Sequence, residues 1–439
     1  MKSVRTKRAR RTREISADEQ SKVSKRDNMS KNIVYMDNSA TTIQAREVTA
    51  AIMKSLESDF ANPSSLHELG RKAQNEVSKA RSIIAAELGV DSKGIVFTSG
   101  GTESINTVIL GAADALKRKG RRIITTKIEH PAVLESCKRL ESRGFEVIYL
   151  DVDGYGFPDL DMYRKALTGD VILVCVMAVN NEIGTVLPVR EMCADARRSG
   201  ALFHIDAVQA FGKIDLTGCD ADFISVSAHK IHGPKGVGAF YAGGGAKFNP
   251  LILGGGQEKG RRSGTENVNG IIGFGKAAEL TEKERKREKS SKSVNDSGSA
   301  AGSDGAESRE NRNGDYVWSL RQRLINGLRN NIGDIKVNGP EKRGEVSDYI
   351  LNVSFLGTRG EVILHALEAD GIYVSTGSAC SSNKRGQSHV LRAAGCTDRE
   401  IESAIRFSLN RYNTAGEIDY TVERVAAAVT RFRKLGSFR

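Results

Sequence analysis

The chain has 439 residues, 39% of them hydrophobic and 27% charged, with a net charge of +12. That length predicts roughly two to three domains and enough apolar surface to bury a sizeable core. It excludes a helical membrane protein: the longest apolar run, Val171 to Val179, falls well short of the ~20 residues a spanning helix needs, and nothing near the start resembles a secretory leader.

The first 31 residues hold 11 Lys/Arg against 4 Asp/Glu, so most of the net charge belongs to this tail and little to the folded body. Such a composition predicts a disordered, solvated arm. A nucleic-acid-binding arm is the alternative. An organellar transit peptide is a further option, against which Glu14, Asp18 and Glu19 count. Met29 is a candidate start, because the folded pattern begins just after it. Residues 32–45 are expected to pack with a C-terminal domain.

From 46 to 275, short β-type runs alternate with helical patterns. The runs are Gly94–Ser99, Arg122–Thr126, Phe145–Leu150, Val171–Met177, Ala201–Ile205, Asp222–Ser227 and Val237–Tyr241. Amphipathic stretches such as Glu103–Lys119 and Val189–Ser199 lie between them. This alternation predicts a large α/β domain with a mainly parallel central sheet. Ligands of such sheets gather at the carboxyl ends of the strands.

Residues 281–315 contain 8 basic and 8 acidic residues and almost no large apolar ones. They cannot bury enough surface to offset ordering entropy, so a disordered insertion is expected, its first part extending the preceding helix. A smaller α+β domain is expected over 316–439. Its order is helix Tyr316–Asn331, strand Tyr349–Phe355, helix Gly360–Ala369, a Gly/Ser loop, then helices over 398–409 and 417–435.

Three motifs in the large domain carry chemistry. In Phe97-Thr98-Ser99-Gly100-Gly101-Thr102-Glu103 a strand ends, two glycines follow and a helix begins. Free N–H groups at a helix start attract phosphate, although an ordinary strand–helix turn reads the same way. In Phe203-His204-Ile205-Asp206-Ala207-Val208-Gln209 an acid follows a buried strand. It needs a cation such as a protonated pyridine nitrogen, unless it only caps a helix. In Ser225-Val226-Ser227-Ala228-His229-Lys230 a lysine sits at a strand end, where a partly dry site lowers its pKa and suits it to imine formation. Metal binding by His229 and His232 is the rival reading, and no further Cys or His lies at a plausible ligand spacing.

With these segments in place, the chain resembles the cysteine desulfurases of NifS/IscS type, in the class V aminotransferase branch of fold-type-I enzymes that use pyridoxal 5'-phosphate. The resemblance runs from Tyr35-Met36-Asp37-Asn38-Ser39-Ala40-Thr41-Thr42 to the last helix. It includes Asn62-Pro63-Ser64-Ser65-Leu66-His67, Glu129-His130, Asn180-Asn181-Glu182-Ile183-Gly184, Gly254-Gly255-Gly256-Gln257-Glu258 and Arg262-Ser263-Gly264-Thr265-Glu266-Asn267. The resemblance implies that Lys230 carries the cofactor as a Schiff base. It implies that Asp206 partners the pyridine nitrogen, that Gln209 and Asn181 lie near the phenolic oxygen, and that His130 stacks on the ring. Gly101, Thr102, Ser227 and His229 match a phosphate cup, and Thr265 matches a phosphate ligand from the second subunit of a homodimer. Arg406 matches the grip on the substrate carboxylate, with Asn38 beside it.

The six cysteines form no Cys-x-x-Cys pair and suggest a reducing compartment, hence the cytoplasm, or an organelle if the tail is a targeting segment. Cys137, Cys175, Cys193, Cys219 and Cys396 read as buried packing residues. Cys380 differs. It lies in the small, polar stretch Ser375 to Gly386 beside Lys384 and Arg385, which suit a thiolate. It matches the family's persulfide-forming cysteine. The resemblance therefore implies conversion of L-cysteine to L-alanine, with sulfur passed through Cys380 to an iron–sulfur scaffold or another acceptor protein. Selenocysteine lyase and class V aminotransferase are the alternative activities.

Overall fold

The structure, a computed structural model, describes residues 33–295, 313–376 and 388–435. The basic tail, residues 296–312, and Cys380 with its neighbours in 377–387 lie outside the described residues. The strands are β1 (Val34–Tyr35), β2 (Ile95–Thr98), β3 (Arg122–Thr126), β4 (Glu146–Leu150), β5 (Val171–Met177), β6 (Leu202–Asp206), β7 (Phe223–Ser227), β8 (Gly238–Ala242), β9 (Ile335–Asn338), β10 (Ile350–Phe355), β11 (Ile372–Tyr373) and β12 (Ala404–Ser408).

Seven strands form one sheet in the order β2-β8-β7-β6-β5-β3-β4. Neighbours from β7 to β4 are parallel, and β8 alone runs against both of its neighbours. This is the mainly parallel α/β sheet that the alternating pattern predicts. Every residue of β5 is buried, as a central strand covered on both faces must be. Its side chains alternate between two apolar cores: Val174 and Val176 join one, Leu173 and Cys175 the other. The first core takes Val77 and Ile84 from helix Glu68–Leu88 and Phe274 from helix Val268–Asn295; the second takes Val108 and Ile109 from helix Gly101–Leu116. A polar rung crosses the sheet where His204 bridges Cys175 Sγ at 3.0 Å and Ser225 Oγ at 2.8 Å. Burial holds the His204 ring neutral, its pKa pushed down to about 3.

A second sheet, β12-β10-β9, is antiparallel and packs with helices Asn313–Asn331 and Ala415–Lys434 through Leu324, Val353, Phe407 and Val425. Val34 and Met36 belong to the same core, and β1 pairs in parallel with β11.

One expectation is corrected. A single helix over 398–409 does not form: helix Asp398–Glu402, started by a capping box between Thr397 and Glu400, gives way to β12. All five residues of β12 are buried between β10 on one side and Ser375 on the other, which leaves no solvent face for an amphipathic helix. The first part of 281–315 does extend the preceding helix, as Val268–Asn295, and its last residues open Asn313–Asn331. Among the described residues, no helix is long and apolar enough to cross a membrane.

The β12 core can be tested with the chain's one tryptophan, Trp318, on helix Asn313–Asn331. Phe407 is 0% exposed, and Phe407→Ala is expected to cost about 3–5 kcal/mol. Urea titration followed by Trp318 fluorescence would show a lowered midpoint; an unchanged midpoint would contradict this packing.

Candidate active site

The parallel strands deliver their carboxyl ends to one edge of the sheet, and the predicted residues follow those ends. Asp206 is the last residue of β6, and Ser227 the last of β7, with Lys230 closing the short turn Ala228–Lys230. Helix Gly101–Leu116 starts just beyond β2, His130 caps helix Pro131–Glu141 just beyond β3, and Asn181 follows β5.

At the helix start, a Cβ on Gly101 would lie 2.7 Å from Val208 Cγ2 and 3.7 Å from Ser227 Cβ. Glycine is what lets these segments approach. Ser227 Oγ is buried there with no hydrogen-bond partner among the described residues. An orphaned buried hydroxyl beside a helix N-terminus matches the chemistry of a phosphate group.

Asp206 is 5% exposed, and Oδ1 accepts from Val208 N at 2.9 Å. Burial pushes its pKa up to about 6, partly opposed by that hydrogen bond and by Lys230. A buried anion of this kind suits a pyridinium partner. The residues present therefore fit pyridoxal phosphate: Asp206 for the ring nitrogen, Ser227 and the Gly101 helix for the phosphate, and Lys230 for the covalent anchor.

Burial, then the charges of Lys230 and His389, bring His130 down to about 4. Its Nδ1 accepts from Ala132 N at 3.1 Å, so the neutral ring carries its proton on Nε2. His229 is likewise lowered to about 4 by burial and by Lys230, and its Nδ1 lies 3.2 Å from Thr41 Oγ1.

The segment 37–42 runs across this edge. Lys230 Nζ donates to Ala40 O at 2.9 Å and also to Ser39 O. Gln209 Nε2 donates to Ser39 O at 2.9 Å, while its Oε1 accepts from Lys213 Nζ at 3.3 Å. Arg406, 2% exposed, donates from Nη1 to Asn181 O at 3.0 Å and from Nη2 to Asp37 Oδ1 at 2.8 Å. Asn38 has its amide committed inside the protein, to Ser408 O at 2.7 Å and from Asn410 Nδ2 at 2.7 Å.

Two predicted residues are exposed. Thr102 is exposed on the first turn of its helix, and Thr265 is exposed with no hydrogen bond joining it to Lys230 or Ser227. Cys380 lies outside the described residues.

Other residues join the site that single motifs did not disclose. Glu129 is fully buried, with its carboxylate taking Thr126 Oγ1 at 2.7 Å and Met177 N at 2.9 Å; burial pushes its pKa up to about 8. Ser388 Oγ donates to Glu182 Oε2 at 2.5 Å, and His389 Nε2 meets Glu129 O at 2.9 Å. Lys213 neighbours Lys230, and burial followed by that charge lowers it to about 7. Glu129 and Glu182 stand in the segments Glu129-His130 and Asn180-Asn181-Glu182-Ile183-Gly184 that carry the resemblance. For the others the only signal was three-dimensional.

The class-V aminotransferase family model matches residues 34–298 and 310–421, breaking within the charged insertion. A cysteine desulfurase of Trichormus azollae is 44% identical over 413 residues, which is 93% of this chain and 96% of that one. A solved NifS-like protein superposes with a TM-score of 0.79 at 37% identity, covering 91% of this chain and 100% of that one. A structure of SspA in complex with cysteine superposes with a TM-score of 0.70 at 32% identity, covering 87% and 100% respectively.

Asp206 supplies a test with a definite sign. Its folded pKa, about 6, stands above the ordinary 3.8. Its contribution to the stability of the cofactor-free protein therefore falls as pH rises from about 4 to 6, and above that it is a constant cost on the order of 3 kcal/mol. Cofactor-free Asp206→Asn is expected to melt above wild type at pH 8, to lose that advantage near pH 4, and to bind pyridoxal phosphate more weakly. Calorimetric melting at both pH values checks the first two points; a variant less stable at both would contradict the assignment.

Proposed function

Because the chain belongs to the class-V aminotransferase family, a family of pyridoxal-phosphate enzymes, we propose that it works as a cysteine desulfurase in which Cys380 receives the sulfur. The observation that carries the reading is the joining, on one sheet edge, of an amine (Lys230), a buried anion (Asp206), a phosphate-type cradle and a buried guanidinium (Arg406). Identity above 40% to a curated cysteine desulfurase over 93% of the chain supports it, as does the cysteine bound to the similar SspA.

When bound, pyridoxal phosphate supplies an electron sink for the substrate's α-carbon. Arg406 takes the substrate carboxylate, for which a planar guanidinium is suited. Lys230 Nζ moves the α-proton. His130 is the poorer base, because Nδ1 is occupied and Nε2 already carries a proton; it serves as a donor from Nε2. The Cys380 thiolate attacks the substrate sulfur, an S–S bond forms and the C–S bond breaks. Sulfur stays on Cys380 as a persulfide, the electron pair of the broken C–S bond takes up a proton at the β-carbon, and the carbon skeleton leaves as L-alanine. The other five cysteines are all buried, and burial pushes Cys137 and Cys193 up to about 12, which disqualifies them as nucleophiles.

The sulfur then passes to an acceptor protein, an iron–sulfur scaffold among the candidates, in the cytoplasm. The working unit is a homodimer: Thr265 is exposed and free to reach a second subunit's phosphate site, and the apolar Phe60, Leu66 and Leu253 are 70%, 97% and 79% exposed.

L-cysteine added to the purified holoenzyme with a thiol reductant is expected to give L-alanine and sulfide in equal amounts. Cys380→Ser should lower both by about 100-fold or more while leaving the bound cofactor in place. Wild-type rates in that variant would refute the role of Cys380, and absence of both products from wild type would refute the activity.

A further inference from the structure

Arg406 spends only part of its guanidinium inside the protein. Nη1 is given to Asn181 O at 3.0 Å and Nη2 to Asp37 Oδ1 at 2.8 Å, while Nε is buried without a partner among the described residues. Nε and Nη2 share one edge of the planar fork, and such an edge can hold a carboxylate through two parallel hydrogen bonds. One arm of that edge is therefore unpaired and the other carries a resident carboxylate. The pair is lopsided: the Arg406 side chain is 2% exposed and that of Asp37 21%, so Asp37 covers the guanidinium from the more open side.

The backbone fixes Asp37 in this position. Its carbonyl accepts from Ala40 N at 3.1 Å and from Tyr35 Oη at 3.2 Å, and its backbone bridges Ser408 on β12. The turn so formed is the one whose Ser39 and Ala40 carbonyls receive Lys230. One short segment thus sets both the anion grip and the amine.

We propose that Asp37 is a specificity-determining residue of the carboxylate subsite, a built-in anion that holds the Arg406 fork and limits how tightly it binds a small amino acid with one carboxylate. This rests on the reading of Arg406 as the substrate anchor. A carboxylate arriving at Nε meets Asp37 across the same edge, and like charges that close repel strongly in a partly desolvated site. Asp37 therefore loosens substrate and product alike and favours release of L-alanine. A neutral oxygen acceptor in its place would hold Nη2 without the repulsion.

The test is calorimetric titration of the holoenzyme with L-alanine, and with L-alaninamide as a ligand lacking the negative charge. Asp37→Asn is expected to bind L-alanine about tenfold more tightly and L-alaninamide no more tightly. Its KM for L-cysteine should fall as well. Asp37→Ser carries the same expectation should the first variant fail to fold. Unchanged or weaker binding of L-alanine, or an equal gain for L-alaninamide, overturns the proposal. Arg406→Gln separates the role of Asp37 from that of Arg406. If it abolishes L-alanine binding while Asp37→Asn changes nothing, only the role of Asp37 falls. If it leaves L-alanine binding intact, the anchor itself is wrong and the proposal falls with it.

Discussion

A carboxylate buried at the end of a strand must find a cation or give up its charge. Asp206 is in that position, and much of the site answers to it. Burial raises its pKa to about 6, and Lys230 is the charge that pulls it back. The same burial keeps His130 and His229 neutral, each at about 4. The edge thus sets a buried anion and an amine close enough to act on each other, with the neighbouring histidine rings held neutral. A cationic pyridine ring would complete this arrangement, and Asp206 would in turn hold that ring in its electron-accepting form.

The sheet makes this possible through direction alone. Parallel strands send Asp206, Ser227, His130 and Asn181 to one edge, while the antiparallel β8 returns the chain so that β2 can bring the Gly101 helix there too. The N-terminal segment then crosses from one sheet to the other. It touches Lys230 and Gln209 by backbone carbonyls and Arg406 by Asp37, linking elements more than 150 residues apart.

Much of this was legible in the sequence because the large domain speaks in short, strong periods. Arg122–Thr126, Val171–Met177 and Val189–Ser199 have the predicted bounds, and the other strands shift by a residue or so. The chemistry-bearing motifs sit where strand–loop–helix grammar puts them. Arg406 was harder. The run Ala404–Ser408 is apolar enough for either period, and only its burial between β10 and Ser375 makes it a strand. Asp37 was invisible as a partner of Arg406, because that contact depends on how β1, β11 and β12 register. The commitment of the Asn38 amide to Ser408 and Asn410 has the same origin.

The central claim is that chemistry begun at Lys230 ends with sulfur on Cys380. The most direct measurement is peptide-level mass spectrometry of the holoenzyme after a single turnover with L-cysteine and trapping of free thiols. One L-alanine is expected to be released per site, with one added sulfur atom located on the Cys380 peptide. Alanine released without sulfur on that peptide, or sulfur found on another cysteine, would contradict it.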